Sequence, residues 1–157
     1  MSVSNRDLAA GAALLLVGSL APLVAAPPQR AAERGVRRAL IRLNELVGRR
    51  DRGVLDEFAP AADTTMIASQ SGEISRGPAE IAAYVDRLYA QPEAVSWGWR
   101  RVEVSVRGEV AWLVAEGEIV FRGDEGERRA PYRLTGVLEH RLDRWRWRLF
   151  HGSQPAA

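Results

Sequence analysis

A helical repeat of hydrophobic residues begins shortly after the Pro27-Pro28 pair. The repeat follows the i, i+3, i+4, i+7 spacing and predicts a long amphipathic helix over residues 31–50. Acid-to-arginine pairs four residues apart lie on the opposite side and favour a solvent-exposed face there. The predicted buried stripe consists of Val36, Ala39, Leu40, Leu43, Leu46 and Val47.

Two shorter helices and a brief strand are predicted next. Residues 54–58 form a short helical segment that ends before Pro60, and residues 63–69 are typical of a short strand. The Gly77-Pro78 pair begins a third helix, because proline is favoured in a first turn. One face of that helix carries Ile81, Tyr84, Val85 and Leu88.

From Ser96 onward the hydrophobic period changes to about two residues, which is typical of strands. Turn signals divide this part of the chain into four strands, so the sequence predicts an antiparallel meander. A two-residue turn at Gly108-Glu109 sets the register of the first hairpin. That register pairs Val106 with Ala111, Val104 with Leu113, and Val102 with Ala115.

The last hairpin is predicted in the register that keeps Arg144, Arg146 and Arg148 out of the core. The same register sets Glu139 against Arg146 on the outer face. The predicted inner pairs are His140 with Trp145, Leu138 with Trp147, Gly136 with Leu149, Leu134 with His151, and Tyr132 with Ser153. Three helices followed by this meander indicate an α+β fold in which a curved, mainly antiparallel sheet wraps around the helices.

The N-terminal segment is typical of an export signal, because Arg6 precedes an uncharged apolar stretch over residues 8–26. Cleavage after Ala26 would leave Pro27 directly behind the cut, and the stretch is nearly long enough to cross a bilayer. Cleaved signal and uncleaved membrane anchor therefore both stay open. We expect residues 1–29 to be this segment with a short linker, residues 30–157 to be the domain, and the protein to be periplasmic or secreted.

The amino-acid composition excludes some classes of binding partner and of catalytic site. All 22 basic residues are arginine and face 20 acids, so the net charge is only +2 and nucleic acid is not expected as a partner. The absence of cysteine excludes thiolate catalysis and thiolate zinc sites. A length of 157 residues fits one domain.

Four segments, in this order and spacing, resemble SnoaL-like domains of the nuclear transport factor 2-like superfamily of cone-shaped barrels. They are Arg76-Gly77-Pro78-Ala79-Glu80-Ile81, the region of Trp97, Gly108-Glu109-Val110-Ala111-Trp112, and Trp147-Arg148-Leu149-Phe150-His151-Gly152-Ser153. The resemblance covers residues 34–155. It implies a deep pocket between the helices and the concave sheet, frequent homodimers, and functions that range from isomerase to pure binding module.

The catalytic residues of this superfamily do not carry over. Ketosteroid isomerases of the fold use an aspartate five residues beyond an acid that Asp63 resembles, and Ala68 occupies that position here. The first helix has no tyrosine for an oxyanion hole, and no acid falls on the predicted inner faces of the last strands. Scytalone-dehydratase-like chemistry relies on histidines, and the chain has only His140 and His151.

Strand parity places His151 on the predicted inner face beside Trp147, with Ser153 one pleat further. An inward imidazole suits a general base or a ligand contact, although a purely structural histidine is the alternative. We predict that a small, mostly apolar ligand contacts Tyr84, Tyr132, Trp147, His151 and Ser153. Two histidines without an inward carboxylate favour no metal site, and nothing in the sequence calls for a cofactor.

The same registers place Trp99, Trp112 and Val114 on the outer face of the sheet, where exposed aromatic residues indicate a partner surface. We expect a homodimer through this face; coverage by the linker, or a β-bulge that turns a tryptophan inward, is the alternative. For function, a binding module without catalysis is favoured. An isomerase, cyclase or dehydratase that uses His151 as general acid and base is the alternative.

Overall fold

The computed structural model describes residues 29–70 and 72–155. The expected export segment therefore lies outside the described residues, except for Gln29, which begins the first helix. No helix within the described ranges is long and apolar enough to cross a membrane.

Three helical segments confirm the predicted helices. Helix α1 spans Gln29–Gly48 and buries all six residues of the predicted stripe together with Ala32. The second segment, Arg52–Glu57, is a 3₁₀ helix whose N-terminus is capped by Asp51, which accepts a 2.8 Å hydrogen bond from the Gly53 N–H. Helix α2 spans Gly77–Tyr89, with proline in its first turn, and buries Ile81 and Val85.

Six strands form one mixed, open sheet that packs against these helices and matches the expected α+β cone fold. The strands are β1 (Thr65–Ile67), β2 (Ile74–Arg76), β3 (Ala94–Arg107), β4 (Val110–Gly123), β5 (Gly126–Arg141) and β6 (Arg144–Ser153). Their order across the sheet is β2-β1-β6-β5-β4-β3, with only the β1–β6 pair parallel. The short strand β2 was not predicted from the sequence.

The hairpin of β3 and β4 has the predicted register near its turn, where Val106 pairs with Ala111 and Val102 with Ala115. Further along, Trp99 pairs with Gly117 but Arg101 pairs with Glu116, so Arg100 is an extra residue in β3. A β-bulge of this kind reverses the two faces of a strand beyond it. Trp97 and Trp99 therefore lie on the same face as Val102, which is the helix side of the sheet.

A second bulge lies in β6. His140 pairs with Trp145, Leu138 with Trp147 and Glu139 with Arg146, as predicted. Beyond them the predicted register is wrong, because Arg148 is an extra residue and Val137 pairs with Leu149. Arg148 reaches outward to Asp63, at 2.5 Å, and to Glu139, at 3.7 Å. After this bulge, Phe150 and Gly152 face the core, and Leu149, His151 and Ser153 face outward.

Candidate functional pocket

A cavity of about 460 Å³ opens between α1, α2 and the concave face of the sheet. Its inner wall is apolar and is formed by residues of the helical segments and of the sheet. The wall includes Leu43, Val47, Val54, Phe58, Met66, Val85, Val95, Ile119, Phe121 and Phe150. Ala68, the position where a ketosteroid isomerase would carry its base, also borders the cavity. A cavity of this size and polarity suits a small, mostly apolar molecule.

Two tyrosines predicted for the pocket do border it. Tyr84 lies on the inner face of α2, and Tyr132 lies on β5, where it is only 3 % exposed. Tyr132 has room because Gly152 stands beside it on β6, where a Cβ atom would collide with the tyrosine hydroxyl. The bulge at Arg148 is what turns Gly152 to this side.

Burial raises the pKa of both hydroxyls above the ordinary tyrosine value. Desolvation raises the pKa of Tyr84 to about 12, with a smaller increase from the charge of Glu73. The pKa of Tyr132 is also raised, mainly by burial, then by Tyr84 and to a lesser degree by Glu73. At neutral pH the two side chains are therefore hydrogen-bond donors.

Trp97 forms the aromatic wall of the cavity beside Tyr132, with ring centroids 6.0 Å apart. Asn44 on α1 fixes its backbone, donating to the Trp97 carbonyl and accepting from the Trp97 N–H, both at 2.8 Å. The indole N–H lies near enough to the Tyr132 hydroxyl to lower that pKa slightly, yet it makes no hydrogen bond of normal geometry within the described residues. In the part of the chain that the structure describes, this indole N–H on the pocket wall therefore has no hydrogen-bond partner.

Glu73 is a charged pocket residue that sequence reasoning missed, as it also missed Trp97. It lies in the loop between β1 and β2, borders the cavity, and accepts a 3.1 Å hydrogen bond from the Gln70 N–H. Within the described ranges it forms no ion pair. Its negative charge adds to the effect of burial in raising the pKa of both tyrosines. Periodicity gives no signal for it, because loop residues follow neither the helix nor the strand repeat.

The mouth of the cavity is held by a charged pair. Arg128 on β5 donates two hydrogen bonds to Glu93, at 3.0 and 2.7 Å, and its guanidinium lies 3.7 Å from the centroid of Phe121. The bond from Arg128 holds the pKa of Glu93 below its ordinary value. These two charges therefore neutralise each other at the rim.

Three residues predicted to contact ligand do not border the cavity. Trp147 is on the inner face, as expected, but it is completely buried in the core beside Phe150. The predicted inward positions of His151 and Ser153 are wrong, because the bulge at Arg148 reverses their direction. His151 is exposed on the outer face, with its Nδ1 3.5 Å from the Thr135 hydroxyl. Two adjacent apolar residues, Leu149 and Phe150, break the alternation and are the signal that could have revealed this bulge.

Of the residues predicted for the outer face, Trp112 and Val114 are exposed there, at 44 % and 39 %. The predicted outward position of Trp99 is wrong. The bulge at Arg100 turns it inward, where it stacks on Trp97 with ring centroids 6.1 Å apart. Gly117 makes this possible, since a Cβ atom there would meet the Gly98 backbone.

A buried acid outside this pocket holds three elements of the fold together. Glu57, 2 % exposed, accepts hydrogen bonds from Arg42 at 2.6 Å and from Arg144 at 2.8 Å. It therefore ties the 3₁₀ helix to α1 and β6. In the part of the chain that the structure describes, no three acids or histidines lie close enough to hold a metal ion.

Comparison with solved structures shows the fold. A protein of the nuclear transport factor 2-like family from Streptomyces avermitilis, named as a candidate dehydratase, is 20 % identical, with 82 % of this chain and 99 % of that one covered and a TM-score of 0.71. A nuclear transport factor 2-like protein of unknown function from Pseudomonas putida is 18 % identical, with 82 % and 89 % covered and a TM-score of 0.69. A superfamily protein from Salmonella enterica is 16 % identical, with 82 % and 94 % covered and a TM-score of 0.70.

The sequence itself identifies the family. A comparison of this sequence with curated proteins found no match. The family model of the SnoaL-like domain matches residues 36–157, which includes α1 from Val36 onward, α2 and all six strands. The chain therefore belongs to the SnoaL-like domain family and has the nuclear transport factor 2-like fold.

Proposed function

We propose that the domain binds a small, mostly apolar molecule in the cavity between its helices and its sheet. The observation that supports this most strongly is the apolar cavity of about 460 Å³, bordered by the partly polar side chains of Tyr84, Tyr132 and Trp97. The fold is that of ligand-binding and of isomerase or dehydratase-type proteins. Binding without catalysis is the function favoured here.

The catalytic alternative has lost its expected base. His151 was the residue on which an isomerase or dehydratase mechanism depended, and its imidazole lies on the outer face of the sheet. His140 is packed against Trp145 at the far hairpin, with ring centroids 5.1 Å apart, and does not border the cavity. Neither histidine is therefore placed to move a proton on a molecule in the pocket.

Native mass spectrometry of protein purified from its own host tests the binding proposal. We expect a noncovalent adduct that is lost on denaturation and is reduced in Ala68→Phe, whose larger side chain would occupy the cavity. Ala83→Phe is the matched control, because Ala83 is exposed on α2 and does not border the cavity. An adduct that persists equally in both variants would place the ligand elsewhere.

We further propose that two copies associate through the outer face of the sheet. Two neighbouring rows of side chains cross this face, one through Trp112, Val137 and Leu149, the other through Val114, Thr135, His151 and Ile67. Charged pairs border them, with Arg133 and Glu116 on one side and Glu139 and Arg141 on the other. An apolar centre with a charged rim is the usual anatomy of a protein interface.

Export remains our proposal for residues 1–29, on the strength of the uncharged apolar stretch after Arg6. A fusion of residues 1–30 to a reporter that is active only outside the cytoplasm tests it. An active reporter is expected. An inactive fusion, together with full-length protein in the cytoplasm, would contradict export.

A further inference from the structure

The two carboxylates that border the cavity differ in how far they are already paired. Glu93 and Arg128 satisfy each other through two hydrogen bonds at the rim. Glu73 borders the cavity without an ion pair among the described residues, and its carboxylate accepts one hydrogen bond there, from the Gln70 N–H. The carboxylate thus keeps acceptor capacity toward the pocket, because an ionised carboxylate can accept several bonds.

Aromatic rings border the same cavity as this carboxylate. Trp97 lies 6.0 Å from Tyr132 and 6.1 Å from Phe150, measured between ring centroids, and all three border the cavity together with Tyr84. The faces of such rings carry negative charge density and attract cations, tryptophan most strongly. A carboxylate combined with aromatic rings is the combination that binds an ammonium group, since each contributes attraction to a positive charge.

The remaining charge on the cavity wall does not oppose this arrangement from inside. Arg87 borders the cavity, but its side chain is exposed on α2 and its guanidinium lies over the Tyr84 ring, 5.8 Å from the centroid. It therefore lies at the rim, where water screens its charge.

Resting on the proposed binding function, we propose that the pocket selects organic amines, with the ammonium group held by Glu73 among Trp97, Tyr84 and Tyr132 and the apolar body in the inner cavity. The half-buried Tyr84 side chain places its hydroxyl for a polar atom next to the amine. This site requires no cofactor and involves no covalent step. The size and polarity of the cavity indicate a small, mostly apolar ligand; this proposal further specifies that the ligand is positively charged.

Three probes that share one apolar body test the inference on the intact domain: 4-phenylbutylamine, 4-phenylbutanol and 4-phenylbutyrate. Each is measured by displacement of a neutral fluorescent dye from the cavity. The amine is expected to bind about tenfold more tightly than the alcohol, and the butyrate more weakly than either, because cation–π and ion-pair contacts favour only the ammonium. Glu73→Gln should lower the ratio of amine to alcohol affinity well below the wild-type ratio, because it removes the ion pair and leaves only the ring faces, and Glu125→Gln, at the exposed β4–β5 turn, should leave the ratio as in the wild type.

The outcomes separate this inference from the binding function. If the alcohol displaces the dye and the amine binds no better, or if Glu73→Gln keeps the preference, the amine inference is wrong and the pocket remains a binding site. If the butyrate binds best and loses its advantage in Arg87→Gln, the pocket selects anions instead. If no probe or dye binds, the proposed function fails and the inference fails with it. Unfolding midpoints of each variant show whether a lost preference reflects lost folding.

Discussion

The indole ring of Trp147 on β6 lies directly over Gly136 on β5, so closely that a Cβ atom on Gly136 would meet the ring and the Leu149 carbonyl. Trp147 is completely buried and is the largest such side chain in the core. The absence of a side chain at Gly136 is therefore what lets β6 carry a tryptophan at this point.

Gly136→Ala is expected to lower the free energy of unfolding by about 1–3 kcal/mol, because overpacking a filled core forces its neighbours to move. Gly98→Ala is the matched control in the same sheet, since a Cβ atom there has open space. Urea denaturation measures both. Equal stability of Gly136→Ala and the wild type would show that Trp147 can shift, and that the packing described is not rigid.

How far the sequence predicts this molecule depends on where strict alternation holds. The pairs near the two hairpin turns, such as Val106 with Ala111 and His140 with Trp145, were predicted correctly because a short turn fixes the register. Every error of side-chain direction lies beyond an added arginine. Arg100 turned Trp99 inward, and Arg148 turned His151 outward.

The candidate site was predicted in part for the same reason. Tyr84 was found because α2 keeps a regular helical face, and Tyr132 because its side of β5 is fixed by neighbouring pairs in the sheet. Glu73 was not found, because it lies between β1 and β2, outside any regular element, and yet borders the cavity. Neither composition nor periodicity describes a loop of that kind.

The three tyrosines give the protein a predictable response to alkali. Burial raises the pKa of Tyr84 and of Tyr89 to about 12, and that of Tyr132 is raised as well. Their stabilising contribution is complete below the unfolded pKa, near 10, and is lost as the pH rises toward 12, because the unfolded chain releases these protons first. We expect little phenolate absorbance from the native protein at pH 10 and about half-ionisation in urea at the same pH. A native titration midpoint near 10 would contradict the burial of these hydroxyls.

A substitution on the outer face of the sheet tests the proposed homodimer. Trp112→Glu should give a monomer in light scattering, because its charge would be buried in the centre of an apolar interface. Leu142→Glu is the control, since Leu142 is 87 % exposed at the β5–β6 turn, outside the two rows. Wild-type protein that is monomeric at tens of micromolar, on the order of common biological dissociation constants, would overturn the dimer proposal.

Binding of a neutral apolar dye, N-phenyl-1-naphthylamine, measures most directly whether the cavity is a ligand site. The account predicts a saturable rise in fluorescence with the wild type and with Ala83→Phe, and affinity at least about tenfold weaker with Ala68→Phe, whose ring would occupy part of the cavity that Ala68 borders. Circular dichroism confirms that each variant is folded. Saturable binding of equal strength in Ala68→Phe, or no saturable binding by the wild type, would contradict the account.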